Sequence, residues 1–214
     1  MHPGSIMKFT LSPPNQLTFL RILLTPVFII LLFSPDLVLR QLSILVFIIA
    51  LLTDWYDGWV ARRWGYVTRW GTFLDPLADK VVTSSALIAF IYLDLVPAWP
   101  VWTIVLRDIV ITFLRSYSEF KGRAFDTSTF AKTKTFLQFM FIDYVLLAYI
   151  ARDTEYFQSR YGGLIQSLLE YSLLYGIVVV VAFITVLTGV FYLANNWKTV
   201  RELYDFSDRI TESR

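Results

Sequence analysis

Tyr171–Ala194 reads YSLLYGIVVVVAFITVLTGVFYLA, 24 residues without a single charge. An α-helix rising about 1.5 Å per residue over that length crosses the roughly 30 Å hydrocarbon core of a bilayer. The rest of the chain shares its character. Of 214 residues, 56% are hydrophobic, 17% aromatic and only 17% charged, and the mean hydropathy is +0.57. A soluble domain carries about a quarter charged residues. The net charge of +2 is too small to suggest a nucleic-acid partner. Cysteine is absent, which excludes disulfides, thiolate metal sites and thiol redox switching.

Working outward from that span, the other apolar stretches are broken by isolated charges, and six helices are expected at about 17–34, 38–62, 74–94, 99–117, 130–151 and 171–194. The first contains Arg21 and lacks a small-residue cleavage pattern, so no signal peptide is expected, and Met7 is as plausible a start as Met1. Lys and Arg decide orientation. With the N-terminus cytoplasmic, thirteen basic residues fall inside, from Lys8 through the Arg62, Arg115 and Lys132 loops to Arg214. Only Arg40, Arg152 and Arg160 fall outside, and Arg21, Lys80 and Arg107 lie within spans. The expected fold is therefore an all-α integral membrane bundle of six transmembrane helices with both termini cytoplasmic. It forms one domain over 1–214, with an interfacial segment at 1–14 and a cytoplasmic tail at 195–214. Trp197, Val200, Leu203 and Tyr204 make one helical stripe in that tail, suited to the membrane surface.

Ionisable groups within membrane helices are costly and are functional candidates by default. Four lie within 26 residues: Asp54 and Asp57, spaced i,i+3 near the cytoplasmic end of the second helix, and Asp75 and Asp79, spaced i,i+4 at the start of the third. Each pair shares a helix face, and the short connection from Arg62 to Gly71 brings the pairs to one depth. Four such carboxylates repel one another without a counter-charge, and Mg²⁺ favours carboxylate oxygens together with substrate phosphates. Gly58 and Ala61 keep the aspartate face clear of large side chains. Gly71 suits the same end at the loop, and Arg62 stands beside them. Isolated aspartate pairs at helix ends are ordinarily solvated caps, and small residues in membrane helices ordinarily serve packing. Neither explains all eight residues at these spacings.

The pattern D-x2-D-G-x2-A-R-x8-G-x3-D-x3-D resembles the signature of the CDP-alcohol phosphatidyltransferases at every fixed position. That resemblance implies a six-helix, usually dimeric enzyme with a metal-dependent site at the cytoplasmic membrane surface. Asp54, Asp57 and Asp75 are then metal ligands for Mg²⁺ or Mn²⁺, expected as a pair of ions, and Asp79 touches the metal site and serves as general base. Asn15–Pro26, Leu74–Lys80, Arg107-Asp108 with Leu114-Arg115, and Lys132-Thr-Lys134-Thr-Phe-Leu-Gln138 are similar to stretches of the phosphatidylglycerophosphate synthases within that family. Ala131 stands where those enzymes usually have Gly. The likeness covers about 15–138.

On this reading the lipid substrate is CDP-diacylglycerol and the acceptor glycerol 3-phosphate, in a bacterial cytoplasmic membrane with the active site facing the cytoplasm. Arg and Lys suit the acceptor's phosphate, which makes Arg115, Lys132 and Lys134 the leading candidates, followed by Arg107. Basic residues in a cytoplasmic loop also follow from the positive-inside bias alone. Inositol phosphate would need the same cations, whereas phosphatidylglycerol, the acceptor of cardiolipin synthases, would not. A divalent-cation transporter is the rival of another class. All four carboxylates sit at one membrane face, however, leaving no polar relay across except Asp143.

Overall fold

In the computed structural model, backbone is described for residues 13–64, 69–120, 129–197 and 199–201, with side chains from residue 18 onward except 54–75, 120–132 and 198. The described chain is all helix: α1 (Pro13–Leu32), α2 (Leu37–Trp64), α3 (Arg69–Tyr92), α4 (Ala98–Phe120), α5 (Thr129–Asp153), α6 (Glu155–Leu168) and α7 (Tyr171–Asn195). Six of these coincide with the expected helices, and α7 matches its expected bounds to within one residue. The helix α6 is a correction to that expectation. It has 14 residues, about 21 Å at 1.5 Å per residue, which is too short to cross a bilayer. Its mixed composition hides it from a search for apolar runs.

Local chemistry sets the helix ends. Asp36 caps α2, its Oδ1 accepting from the backbone N–H groups of Val38 at 2.7 Å and Leu39 at 3.2 Å. The helix α3 ends with Asp94 at φ 55°, and the Leu95 N–H donates to the Phe90 carbonyl at 3.0 Å, closing a Schellman turn. Pro97 then precedes α4.

The core lies where α1, α2, α3, α4, α5 and α7 meet. Phe28 and Phe47 pack with ring centroids 5.1 Å apart, and Leu87, Phe90, Ile104, Ile142, Leu146 and Val178 fill the space around them. The outer surface reverses the soluble pattern. Ile30, Leu52, Leu106, Phe183 and Val190 are exposed, whereas Arg21, Asp108 and Lys134 are buried. Such a molecule belongs in hydrocarbon. Among the described residues, two helical stretches, Thr133–Asp153 and Tyr171–Asn195, are long and apolar enough to cross a membrane, and shorter apolar stretches cover Thr18–Leu32 and Leu37–Thr53.

A clasp joins the start of α2 to the end of α5. Arg40 bonds Asp153, Gln41 Nε2 donates to Thr154 Oγ1 at 3.1 Å, and the guanidinium groups of Arg40 and Arg152 lie 5.8 and 4.8 Å from the Tyr149 ring centre. Along α5, Asp153 stands about 28 Å from Lys134 at 1.5 Å per residue. The clasp therefore sits at the opposite end of the bundle from the charges described next.

Candidate active site

Asp79 is reached from α3 one turn beyond Asp75, past Pro76, which stands inside the helix. Its carboxylate lines a cavity of about 230 Å³ together with Lys80, Arg107, Asp108, Thr112 and Arg115, and Tyr192 closes it from α7. Lys80 Nζ lies 3.5 Å from Asp79 Oδ2 and 4.0 Å from Asp108 Oδ2, bridging α3 to α4. Asp108 is the hub. It is 2% exposed, and Lys134 Nζ on α5 approaches both of its oxygens at 2.5 Å while Arg107 approaches at 3.1 Å. Gln138 Oε1, one turn along α5, accepts the third Lys134 donor at 2.5 Å. Such a buried carboxylate needs cationic partners, because an unpaired buried charge is strongly destabilising.

Arg107 is seated by α7. Its NH2 donates to Thr188 Oγ1 at 3.0 Å, and Thr188 in turn donates to the Thr185 carbonyl at 2.9 Å. The guanidinium stem lies against Gly189, where an added Cβ would stand 2.9 Å from Arg107 Nε and 3.3 Å from Cγ. Gly189→Ala is accordingly expected to cost about 1–3 kcal/mol by overpacking, lowering the unfolding temperature. Gly176→Ala on the same helix, where an added Cβ meets nothing within 4 Å, is expected to leave it unchanged or raise it slightly, since Ala is the better helix former. Equal shifts for the two variants would show that Gly189 does not seat Arg107.

Of the expected site residues, the structure brings Asp79, Arg107 and Arg115 to one cavity. Arg115 is half-exposed and carries Glu119 at 2.8 Å, one turn on. Lys134 belongs to the same network, its three donors facing Asp108 and Gln138. Asp54, Asp57, Gly58, Ala61 and Arg62 lie on α2, Gly71 and Asp75 on α3 and Lys132 on α5. Their side chains are outside the described residues. Lys80, Asp108, Thr112 and Thr188 are the site residues that sequence reasoning left without a role. For Lys80 and Asp108 the signal was present, since both are charges inside apolar helices.

Among the described residues, cations outnumber anions around the cavity: Lys80, Arg107, Arg115 and Lys134 against Asp79, Asp108 and Glu119. It suits a ligand that carries phosphate. Among the described residues no group of three or more His, Asp or Glu side chains is placed to hold a metal ion, and Asp54, Asp57 and Asp75 have side chains outside them.

Comparison with known proteins agrees with this chemistry. The family model described as CDP-alcohol phosphatidyltransferase matches residues 11–191, extending the likeness beyond 138 into α7. The chain is 34% identical over 200 residues to the CDP-diacylglycerol–glycerol-3-phosphate 3-phosphatidyltransferase of Bacillus subtilis, covering 88% of this chain and 96% of the relative. It is 31% identical over 188 residues to the protein of that name from Rickettsia prowazekii, covering 87% and 96%. With the one from Salmonella typhimurium it shares 35% over 146 residues, covering 65% and 78%.

Proposed function

Because the chain belongs to the CDP-alcohol phosphatidyltransferases, we propose that it transfers the phosphatidyl group of CDP-diacylglycerol to glycerol 3-phosphate, giving phosphatidylglycerophosphate and CMP. The observation that carries this reading is the cavity in which a carboxylate, Asp79, stands among Lys80, Arg107 and Arg115. A proton acceptor beside a phosphate-binding group is what this transfer needs. The names of the relatives supply the substrates.

In this reading Asp79 accepts the proton of an acceptor hydroxyl while that oxygen forms its bond to the phosphatidyl phosphorus. The bond from phosphorus to the CMP oxygen breaks, and CMP leaves with the electron pair. Arg107 and Arg115 hold the acceptor's phosphate, with Lys132 nearby in sequence at the start of α5. Asp54, Asp57 and Asp75 would hold Mg²⁺ or Mn²⁺, with Asp79 touching the same metal site, and the metal would withdraw charge from the diphosphate. Gly58 and Ala61 leave room for the cytidine, beside Arg62 and Gly71. The lipid tails stay in the bilayer, so the site belongs at its surface.

The same reading places α1–α5 and α7 as six spans in a bacterial cytoplasmic membrane, with both termini and the Asp79 cavity on the cytoplasmic side. The bias of basic residues toward that side supports it. A homodimer, as the family resemblance implies, completes the proposal.

Purified protein given CDP-diacylglycerol is expected to release CMP with glycerol 3-phosphate and not with serine, inositol phosphate or phosphatidylglycerol. CMP release with inositol phosphate alone would reassign the acceptor, and none with any acceptor would overturn the activity. Chelation by EDTA is expected to stop the release and Mg²⁺ or Mn²⁺ to restore it. Arg115→Gln removes a charged hydrogen bond worth about 1.5–3 kcal/mol. It is expected to raise the acceptor KM by about 10- to 100-fold, with little change for CDP-diacylglycerol. An equal rise for both substrates would mean a role in docking or folding.

A further inference from the structure

The helix α6 carries its apolar and polar residues on different flanks, and both flanks are open. Phe157, Tyr161 and Leu164 are exposed on one, while Ile165 is buried against the body. On the other, Gln158, Gly162 and Gln166 line a polar cavity of about 520 Å³ whose remaining walls include Arg152 and Glu170. Polar rows face water and exposed apolar rows face hydrocarbon, so the two flanks call for two media.

The neighbours of α6 say which boundary this is. Asp153 ends one membrane-capable stretch two residues before Glu155, and Tyr171 begins the next three residues after Leu168. A segment tethered so closely at both ends cannot leave the membrane surface. Its ends are also fixed to the bundle. Thr154, just before α6, accepts from Gln41 at 3.1 Å, and Tyr144 on α5 donates to the Leu168 carbonyl at 2.5 Å. Between these ties α6 kinks at Tyr161, where φ −131° and ψ 17° leave helical values just before Gly162 and Gly163, residues of low helix propensity. Aromatic residues that favour the headgroup level continue the belt, with Tyr156 exposed on α6 and Tyr171 and Tyr175 stacked at 6.2 Å on α7.

We propose that α6 is an interfacial helix of the leaflet remote from the Asp79 cavity, its Phe157–Tyr161–Leu164 flank sunk at the boundary of headgroups and acyl chains and its Gln158–Gln166 flank in water. The partner is the lipid surface itself. Binding rests on apolar burial, because the charges around it, Arg152 and Arg160 against Asp153, Glu155 and Glu170, do not add to a strongly cationic face. The inference depends on the bilayer reading of α5 and α7 and is independent of the acceptor.

The absence of cysteine allows single labelling sites in the full chain. Leu164→Cys and Gln166→Cys place an environment-sensitive fluorophore on the two flanks, and Phe183→Cys places one on the exposed middle of α7. The protein is reconstituted in phosphatidylcholine vesicles that carry a nitroxide either near the headgroup or deep in the acyl chain. The Leu164 label is expected to emit at shorter wavelength and to lose most of its emission to the shallow nitroxide, with little loss to aqueous iodide. The Gln166 label is expected to behave oppositely, and the Phe183 label to respond to the deep nitroxide. A Leu164 label quenched by iodide and not by lipid overturns the proposal while a quenched Phe183 label leaves the span standing. A Leu164 label shielded from both quenchers also overturns it, pointing to a second copy of the chain on that flank. An unquenched Phe183 label removes the bilayer reading beneath it.

Discussion

Asp79→Asn is expected to bind CDP-diacylglycerol and metal nearly as the wild type does, and to lose turnover by about 10²–10⁴-fold, the usual contribution of a general base. The substitution is almost isosteric and keeps one oxygen in the cavity, but an amide cannot take the acceptor's proton. The base acts only as the hydroxyl attacks, whereas metal ligands are needed already to hold the diphosphate. Asp57→Asn should therefore show the contrasting pattern, with CDP-lipid binding itself impaired unless metal is raised. Calorimetric titration of CDP-diacylglycerol at fixed Mg²⁺, beside single-turnover CMP release, separates the two. Near-wild-type single-turnover rates in Asp79→Asn would move the base to another carboxylate.

The second large effect concerns folding. Asp108 is buried with Lys134 at 2.5 Å, Arg107 at 3.1 Å and Lys80 at 4.0 Å. Asp108→Leu leaves three cations facing one another without their shared anion, and losing one side of a buried pair costs about 3–5 kcal/mol. Lys134→Met is expected to cost less, because Arg107 and Lys80 still face the carboxylate. The double variant Asp108→Leu with Lys134→Met should recover part of the loss, since a buried pair exchanged for apolar side chains is often neutral. Unfolding midpoints in one detergent, arranged as a double-mutant cycle, test the ordering. If Lys134→Met destabilised as much as Asp108→Leu, Asp108 would not be the hub. If Lys134→Met left stability untouched but raised the acceptor KM, Lys134 would contact the phosphate directly.

The contrast between Lys134 and Asp79 shows what a sequence can carry. Spacing alone placed Asp75 and Asp79 on one face of α3, because i,i+4 geometry is local. Lys134 was legible as a charge at a helix start, but its partner Asp108 lies 26 residues away on another helix, and no local rule links them. The helix α7 was legible as a span because it has no charges. For the same reason, the part played by Thr188 and Gly189 in seating Arg107 was invisible: a hydroxyl and a glycine in an apolar run leave no periodic mark. The helix α6 failed differently. Its 14 residues contain Gly162 and Gly163 and no long apolar run, so only its tethered position between α5 and α7 defines it.

The clasp at the far end of the bundle has a mechanical consequence. It pins α2 to α5 by Arg40 with Asp153 and Gln41 with Thr154. Those two helices bear Asp54 and Asp57 on one arm and Lys132 and Lys134 on the other. They can act as the arms of a pair of tongs riveted at one end of the bundle, with the jaws at the end that carries the Asp79 cavity. Over an arm of about 28 Å, a change of about 2° at the rivet opens the jaws by about 1 Å. A misplacement of about 1 Å is enough to cost on the order of 10²-fold in rate. Loosening Arg40, a side chain that never meets substrate, thus alters the gap between the aspartate-bearing and lysine-bearing arms.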